Sequence, residues 1–268
     1  MKLLIFGDIY GRNGRRLINK YISDLKKKFK PDFIIGNSEN MTSGKGPNLN
    51  HIIQMKGLGF DCLTGGNHVF AHLKEIKDYL DQKDSIQIRP ANYYENKKYP
   101  VPGKGFLIIE KGGYKILVIN IMSEVFIPGQ MYNPFLKMDE ILESFKKQKF
   151  DAIIVDFHRE TTAETYAMSE YLNGKITLVY GSHTHVQTND EHILSKGTGM
   201  ITDVGMVGSF HSSIGQTFET RLPMFITGTN IFNEKPEQDL GLGLVNGIYV
   251  EIENKKCVLI DKIRIIEK

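Results

Sequence analysis

The chain has 268 residues, is 41% hydrophobic and 24% charged, and carries a formal net charge of +3 with only two cysteines. These proportions fit an ordinary globular protein with a substantial core. They argue against a disulfide scaffold or a zinc knuckle, and the small, spread-out charge does not indicate a nucleic-acid groove. No stretch approaches the ~20 apolar residues of a membrane helix, and Leu3-Leu4-Ile5-Phe6 is too short for a signal-peptide core, so a cytoplasmic location is expected.

Lys2 to Phe6 reads as a short strand, with Asp8 just beyond it in the glycine-punctuated turn Gly7 to Gly14. That turn lacks both the P-loop lysine spacing and the dinucleotide glycine spacing, which argues against a Rossmann site. Arg15 to Phe29 has helical periodicity through Leu17, Ile18, Tyr21, Ile22 and Leu25. Its Lys26-Lys27-Lys28 run reads as a solvated helix face, as does Lys146-Lys147. Asp32 to Gly36 is a second strand that delivers Asn37-Ser38-Glu39-Asn40, and a helix is expected from Leu49 to Lys56. Phe60 to Thr64 is a third strand, opening onto Gly65-Gly66-Asn67-His68. Paired glycines let backbone approach closely, Asn67 offers a carbonyl oxygen, and His68 offers an acid or base near neutral pH. His72 is expected on the helix that follows.

Ile86 to Arg89 reads as another strand and Phe106 to Ile121 as a hairpin about Lys111-Gly112-Gly113. Ser123 to Phe135 has no period and reads as a surface excursion bordering a cleft, its Phe126, Tyr132 and Phe135 packing either a nucleobase or the domain itself. Met138 to Lys147 forms a helix and Asp151 to Asp156 a strand ending in Phe157-His158-Arg159-Glu160. Asp156 either orients the His158 imidazole or pairs with Arg159. After a helix from Thr162 to Leu172, the apolar run Ile176 to Tyr180 leads into Gly181-Ser182-His183-Thr184-His185. In extended chain His183 and His185 point one way and Thr184 the other, which suits two neighbouring metal ions. Met200-Ile201-Thr202 is a short strand, Asp203 to Gly208 a glycine-rich loop, and Leu244 to Ile252 with Cys257 to Ile265 a terminal hairpin. Asp203 reads as structural, and Arg221 is a phosphate contact by residue type alone. No linker or repeat divides the chain, so residues 1–268 are expected to form a single domain.

Each polar strand end taken alone reads equally as a turn or capping residue. Five together point to one crevice, because ligands in open α/β sheets collect beyond the carboxyl ends of the strands. Those ends are Asp8, Glu39 with Asn40, Asn67 with His68, His158, and His183 with His185.

Gly7-Asp8, Glu39-Asn40, Gly66-Asn67-His68, Asp156-Phe157-His158 and Gly181-Ser182-His183-Thr184-His185 resemble, in this order, the strand-end blocks of the calcineurin-like metallophosphoesterases. Val155-Asp156-Phe157-His158, His183-Thr184-His185-Val186-Gln187-Thr188 and Ile201-Thr202-Asp203-Val204-Gly205-Met206 resemble more narrowly the bacterial YmdB-type branch, known for hydrolysing cyclic nucleotides, notably 2′,3′-cyclic ones. The resemblance implies an α/β fold, a four-layer α/β/β/α sandwich, with two divalent metal ions, iron or manganese, zinc being compatible as well. Carried over by position, one ion would be held by Asp8, Glu39, Asn40 and His185, the other by Glu39, Asn67, His158 and His183. A metal-bridging hydroxide would attack a phosphodiester and His68 would act as general acid. Phosphate is the expected product analogue and a homo-oligomer the expected assembly. Two departures from the wider superfamily stand out: Ile9 and Tyr10 follow Asp8 where a histidine is common, and Glu39 replaces the usual aspartate, with Asn40 filling the vacancy. The alternatives are a phosphomonoesterase, whether protein phosphatase or nucleotidase, on the same core, and a metal-stabilised regulatory or RNA-binding scaffold.

Overall fold

Along β1 (Lys2–Ile9) every residue from Leu3 onward is buried, so the strand needs apolar cover on both faces. Leu3 and Ile5 join one core with Phe33, Ile35, Ile154 and Leu178, whereas Leu4 and Phe6 join another with Leu17, Ile18, Ile52 and Ile76. In the computed structural model, which describes residues 1–96, 98–229 and 240–267, the first core lies between two sheets and the second lies under helices.

The first sheet has six strands in the order β12-β11-β10-β1-β2-β3. They are β1, β2 (Phe33–Asn37), β3 (Cys62–Thr64), β10 (Met206–Ser209), β11 (Gly243–Glu253) and β12 (Lys256–Ile266). Helices α1 (Gly11–Phe29), α2 (Leu49–Gly57) and α3 (Leu73–Leu80) cover its outer face. The second sheet runs β4-β5-β6-β7-β9-β8, from β4 (Phe106–Lys111), β5 (Tyr114–Met122), β6 (Ala152–His158), β7 (Leu178–Ser182), β8 (His192–Ile193) and β9 (Gly199–Ile201). Met138 and Ile141 of α4 (Pro134–Ser144), and Met168 of α5 (Thr162–Tyr171), pack on Leu117, Ile119 and Val155 of its outer face. The result is a four-layer α/β/β/α sandwich. A further helix, α6 (Phe218–Thr227), stands outside the layers and buries none of its residues. No helix among the described residues is long and apolar enough to cross a membrane.

Strands β1, β2 and β3 run parallel, as do β6 and β7, so five carboxyl ends open toward one edge. Several boundaries differ from the sequence expectation, for identifiable reasons. Asp8 lies inside β1 rather than beyond it, because Met206–Ser209, expected as glycine-rich loop, forms β10 and pairs parallel with Asp8 and Ile9. The expected turn after Asp8 is instead the start of α1, where buried Asn13 donates to Ser209 Oγ at 2.7 Å. His158 is the last residue of β6, and His72 caps α3 instead of lying on it. Ile86 to Arg89 contributes only an isolated bridge between Gln87 and Leu63.

Gly7 marks a fork in the first sheet. Lys2 to Phe6 pair antiparallel with β11, whereas Asp8 and Ile9 pair with β10. A Cβ at Gly7 would stand 1.9 Å from the Gly205 carbonyl oxygen, a backbone atom with no room to yield. Gly7→Ala is expected to destabilise the fold by roughly 3 kcal/mol, the upper range for overpacking, read as a lower urea midpoint at unchanged m-value.

Candidate active site

The edge where the strands end is polar and largely buried. Asp8, Glu39, Asn40, His158 and His185 are all buried, Asp8 and His158 completely. Two poles can be distinguished.

At the first, His185 Nε2 lies 2.9 Å from Asn40 Oδ1 and 3.8 Å from Asp8 Oδ1. The other ring nitrogen, Nδ1, is 2.9 Å from the Ile214 carbonyl oxygen. That carbonyl can only accept, so Nδ1 carries the proton and Nε2 presents a bare lone pair. The Asn40 amide nitrogen donates to Gly44 O, which fixes its oxygen toward His185. Two acceptors therefore face each other, and burial keeps the ring neutral by pulling its pKa down to about 4.

The second pole repeats the pattern. His158 Nε2 is 3.2 Å from Asn67 Oδ1 and 3.9 Å from Glu39 Oε1. His158 Nδ1 is 3.0 Å from Ser182 Oγ, whose only proton goes to Asp156 Oδ1 at 2.7 Å. Ser182 must then accept from Nδ1–H, leaving Nε2 bare. Asp156 thus acts on His158 through the Ser182 hydroxyl, and it does not pair with Arg159. Arg159 donates to Thr165 Oγ1 and faces Asp203 Oδ2 at 3.4 Å. Gly66 permits this pole to close, since a Cβ there would overlap the His158 ring at 2.2 Å.

His183 packs edge-on against His158 with ring centroids 4.7 Å apart, its Nε2 lies 3.0 Å from Glu160 Oε2, and its backbone N–H donates to Asp8 Oδ2 at 3.2 Å. Both histidines line the same cleft, but not by strand alternation. β7 ends at Ser182, and His183 and His185 have φ of 105° and 66°, left-handed values that side chains other than glycine seldom adopt. Asp203 holds this strained turn: its Oδ2 accepts from Thr184 N–H at 3.1 Å and Thr184 Oγ1 at 2.8 Å, and its Oδ1 accepts from Gly205 N–H at 2.7 Å. Burial raises the Asp203 carboxyl to about 6, opposed by Arg159.

His68 is the most open imidazole of the group, with 34% of its side chain exposed, and its Nδ1 lies 2.7 Å from Glu39 Oε1. Its backbone N–H donates to the same oxygen at 2.5 Å. The structure therefore brings together all eight residues singled out in the sequence. Among the described residues no three His, Cys, Asp or Glu side chains alone surround a point as a metal group would. Each pole includes an asparagine oxygen.

A cleft of about 460 Å³ opens over the poles, lined by His68, His183 and His185 together with Tyr10, Lys45 and Arg221. Arg221 comes from α6, and its guanidinium makes no salt bridge among the described residues, lying 3.7 Å from Met224 Sδ. Sequence reading gave it no weight beyond residue type, because α6 has neither a buried face nor a motif. The only available signal was an arginine among apolar residues. Phe126, Tyr132 and Phe135 do not line this cleft. Phe126 is 82% exposed, and Tyr132 packs on Tyr94.

The family model described as YmdB-like protein matches residues 4–263. The chain belongs to the YmdB-like family. Over 268 residues it is 38% identical to the 2′,3′-cyclic-nucleotide 2′-phosphodiesterase of Bacillus subtilis (strain 168), covering 99% of this chain and 97% of that relative. Its structure is similar to a crystal structure described as a novel phosphatase from Mycoplasma pneumoniae, with a TM-score of 0.90, 34% identity, and coverage of 100% of this chain and 94% of that one. A 5′-nucleotidase precursor from Thermus thermophilus matches at a TM-score of 0.61 and 11% identity, covering 100% of this chain and 54% of that one, a likeness of fold alone. The sandwich is that of the calcineurin-like phosphoesterases.

Proposed function

We propose that the chain is a phosphodiesterase dependent on two divalent metal ions and acting on 2′,3′-cyclic nucleotides. The observation that carries the metal part is the facing of acceptor on acceptor at both poles, His185 Nε2 with Asn40 Oδ1 and His158 Nε2 with Asn67 Oδ1. Buried acceptors repel unless a cation lies between them. Asp8 Oδ1 and Glu39 Oε2 are also buried without a hydrogen-bond partner, and burial raises both carboxyl pKa values by disfavouring the charged form, a penalty that a bound cation would offset. The residues thus fit two ions: Asp8, Asn40 and His185 would hold one, Asn67, His158 and His183 the other, and Glu39 would serve both. Nitrogen and oxygen donors in this mixture suit iron, manganese or zinc.

Bound there, such ions would lower the pKa of water and neutralise charge on a phosphate ester. The chain's own groups do the rest. Asp156 and Ser182 fix the His158 tautomer, and Asp203 fixes the turn that carries His183 and His185. Arg221 and Lys45 flank the cleft and bind phosphate oxygens that face away from the poles. His68, half-open beside Glu39, donates a proton to the ribose oxygen as the phosphorus–oxygen bond breaks. The cyclic substrate class rests on the relative from Bacillus subtilis, whose name specifies a 2′,3′-cyclic nucleotide.

Metal analysis, combined with hydrolysis of bis-p-nitrophenyl phosphate, p-nitrophenyl phosphate and 2′,3′-cyclic AMP, tests this reading. Turnover of the cyclic nucleotide above the monoester is expected. A metal-loaded protein inert to all three would overturn it in favour of a scaffold, and a preference for the monoester would favour a phosphatase. Arg221→Ala is expected to raise KM for 2′,3′-cyclic AMP about tenfold while metal content stays constant, with partial recovery in Arg221→Lys. Steady-state kinetics beside elemental analysis reads both.

A further inference from the structure

At the opposite end of the second sheet lies a cleft of about 750 Å³, larger than the one over the histidines. Five lysines line it. Lys146 is paired with Glu143, and Lys175 lies 3.9 Å from Asp139, but Lys196, Lys255 and Lys256 have no carboxylate partner among the described residues. The two glycines beside them set the stems: a Cβ on Gly174 would strike the Lys196 side chain at 2.8 Å, and one on Gly197 the Lys256 side chain at 2.8 Å. The floor is apolar, with Phe145 and Ile153 only half-buried, and Phe145 stands edge-on to Phe150 with centroids 5.7 Å apart.

Unpaired ammonium groups gathered in a concave, apolar-floored space concentrate positive potential. The volume is that of a small-molecule pocket, and a flat apolar body with an anionic tail matches its two parts. A nucleic-acid strand fits poorly, because Asp139 and Glu143 of α4 line one wall and would face its backbone. We infer that this cleft binds a nucleoside phosphate at a second site, the phosphates on Lys196, Lys255 and Lys256 and the base on Phe145. The seven residues of β6 separate it from His158 by roughly 20 Å, so the site is independent of the catalytic assignment.

ADP titrated into the metal-loaded full chain tests this, with hydrogen exchange followed by mass spectrometry. Slower exchange is expected in residues 145–153, 174–177 and 254–257. Exposed lysines tolerate substitution, so Lys196→Glu with Lys256→Glu should weaken this binding by about tenfold or more while bis-p-nitrophenyl phosphate hydrolysis stays unchanged. Absence of protection in those segments at millimolar ADP overturns the proposal. So does protection by pyrophosphate equal to that by ADP, which would show that no base is bound. A single-stranded RNA that protects them when ADP does not would make the cleft an RNA contact instead.

Discussion

Replacing His68 with alanine is expected to lower kcat on 2′,3′-cyclic AMP by about 100- to 10,000-fold, the range typical of a lost general acid, while both metals remain bound. The geometry separates these two readouts. The imidazole is the most open of the four in the group, and it reaches Glu39 only through Nδ1, at 2.7 Å. The His68 backbone N–H also holds Glu39, and alanine retains it. A substrate whose leaving group needs no proton, such as bis-p-nitrophenyl phosphate, should lose far less in this variant than the cyclic nucleotide does. Equal losses on both substrates with one metal missing per chain would make His68 a ligand and end the acid assignment.

Asp8→Asn is expected to abolish turnover and one metal, yet to make the metal-free protein more stable. Asp8 is wholly buried, and its Oδ1 has no hydrogen-bond partner. Burial first, then the nearby Asp203 and Asp156, push its carboxyl well above the usual 3.8. A raised folded-state pKa favours the protonated form, so the stability it lends is complete below the unfolded value and is lost as pH rises toward the folded one. At neutral pH, ionised Asp8 therefore opposes folding of the metal-free chain. An asparagine removes that charge and the cost of burying it without a partner, a gain of roughly 1–3 kcal/mol. Melting curves should cross: the variant above wild type in EDTA at pH 7.5 and below it in saturating manganese, where binding stabilises only the intact site. A variant that melts lower in both conditions would show that Asp8 is merely structural.

Legibility in the sequence followed the range of the interactions. Strands such as β1 could be read because an apolar run like Leu3 to Phe6 is a local signal, whereas the sandwich layers came from the family resemblance, and only the structure divides Leu3 and Ile5 from Leu4 and Phe6 between two cores. The terminal hairpin was equally plain, its turn carried by Asn254 and Lys255 at φ of 49° and 69°. β10 was not legible. Gly205 and Gly208 disguise a strand whose existence depends on pairing with β1, some two hundred positions earlier. Candidate site residues stood out because strand ends carry histidine, carboxylate and amide in unusual density. Their supports did not. Ser182 matters through a hydrogen bond donated to Asp156, and Asp203 through backbone N–H groups of Thr184 and Gly205, and neither leaves a trace in residue type. The His183-Thr184-His185 turn misled for a related reason: alternation assumes extended backbone, and these residues leave it.

The divided pairing of β1 also bears on how the site is assembled. One flank is closed by β2, nearby in sequence, where Leu3 pairs with Phe33, but the other waits for residues 206–251. Until then Asp8 has neither the Gly205 carbonyl over its own N–H nor the His183 amide at its carboxylate in a settled arrangement. A chain cut before β11 would therefore carry every imidazole of the site and yet lack the preformed cradle that the proposed ions would need.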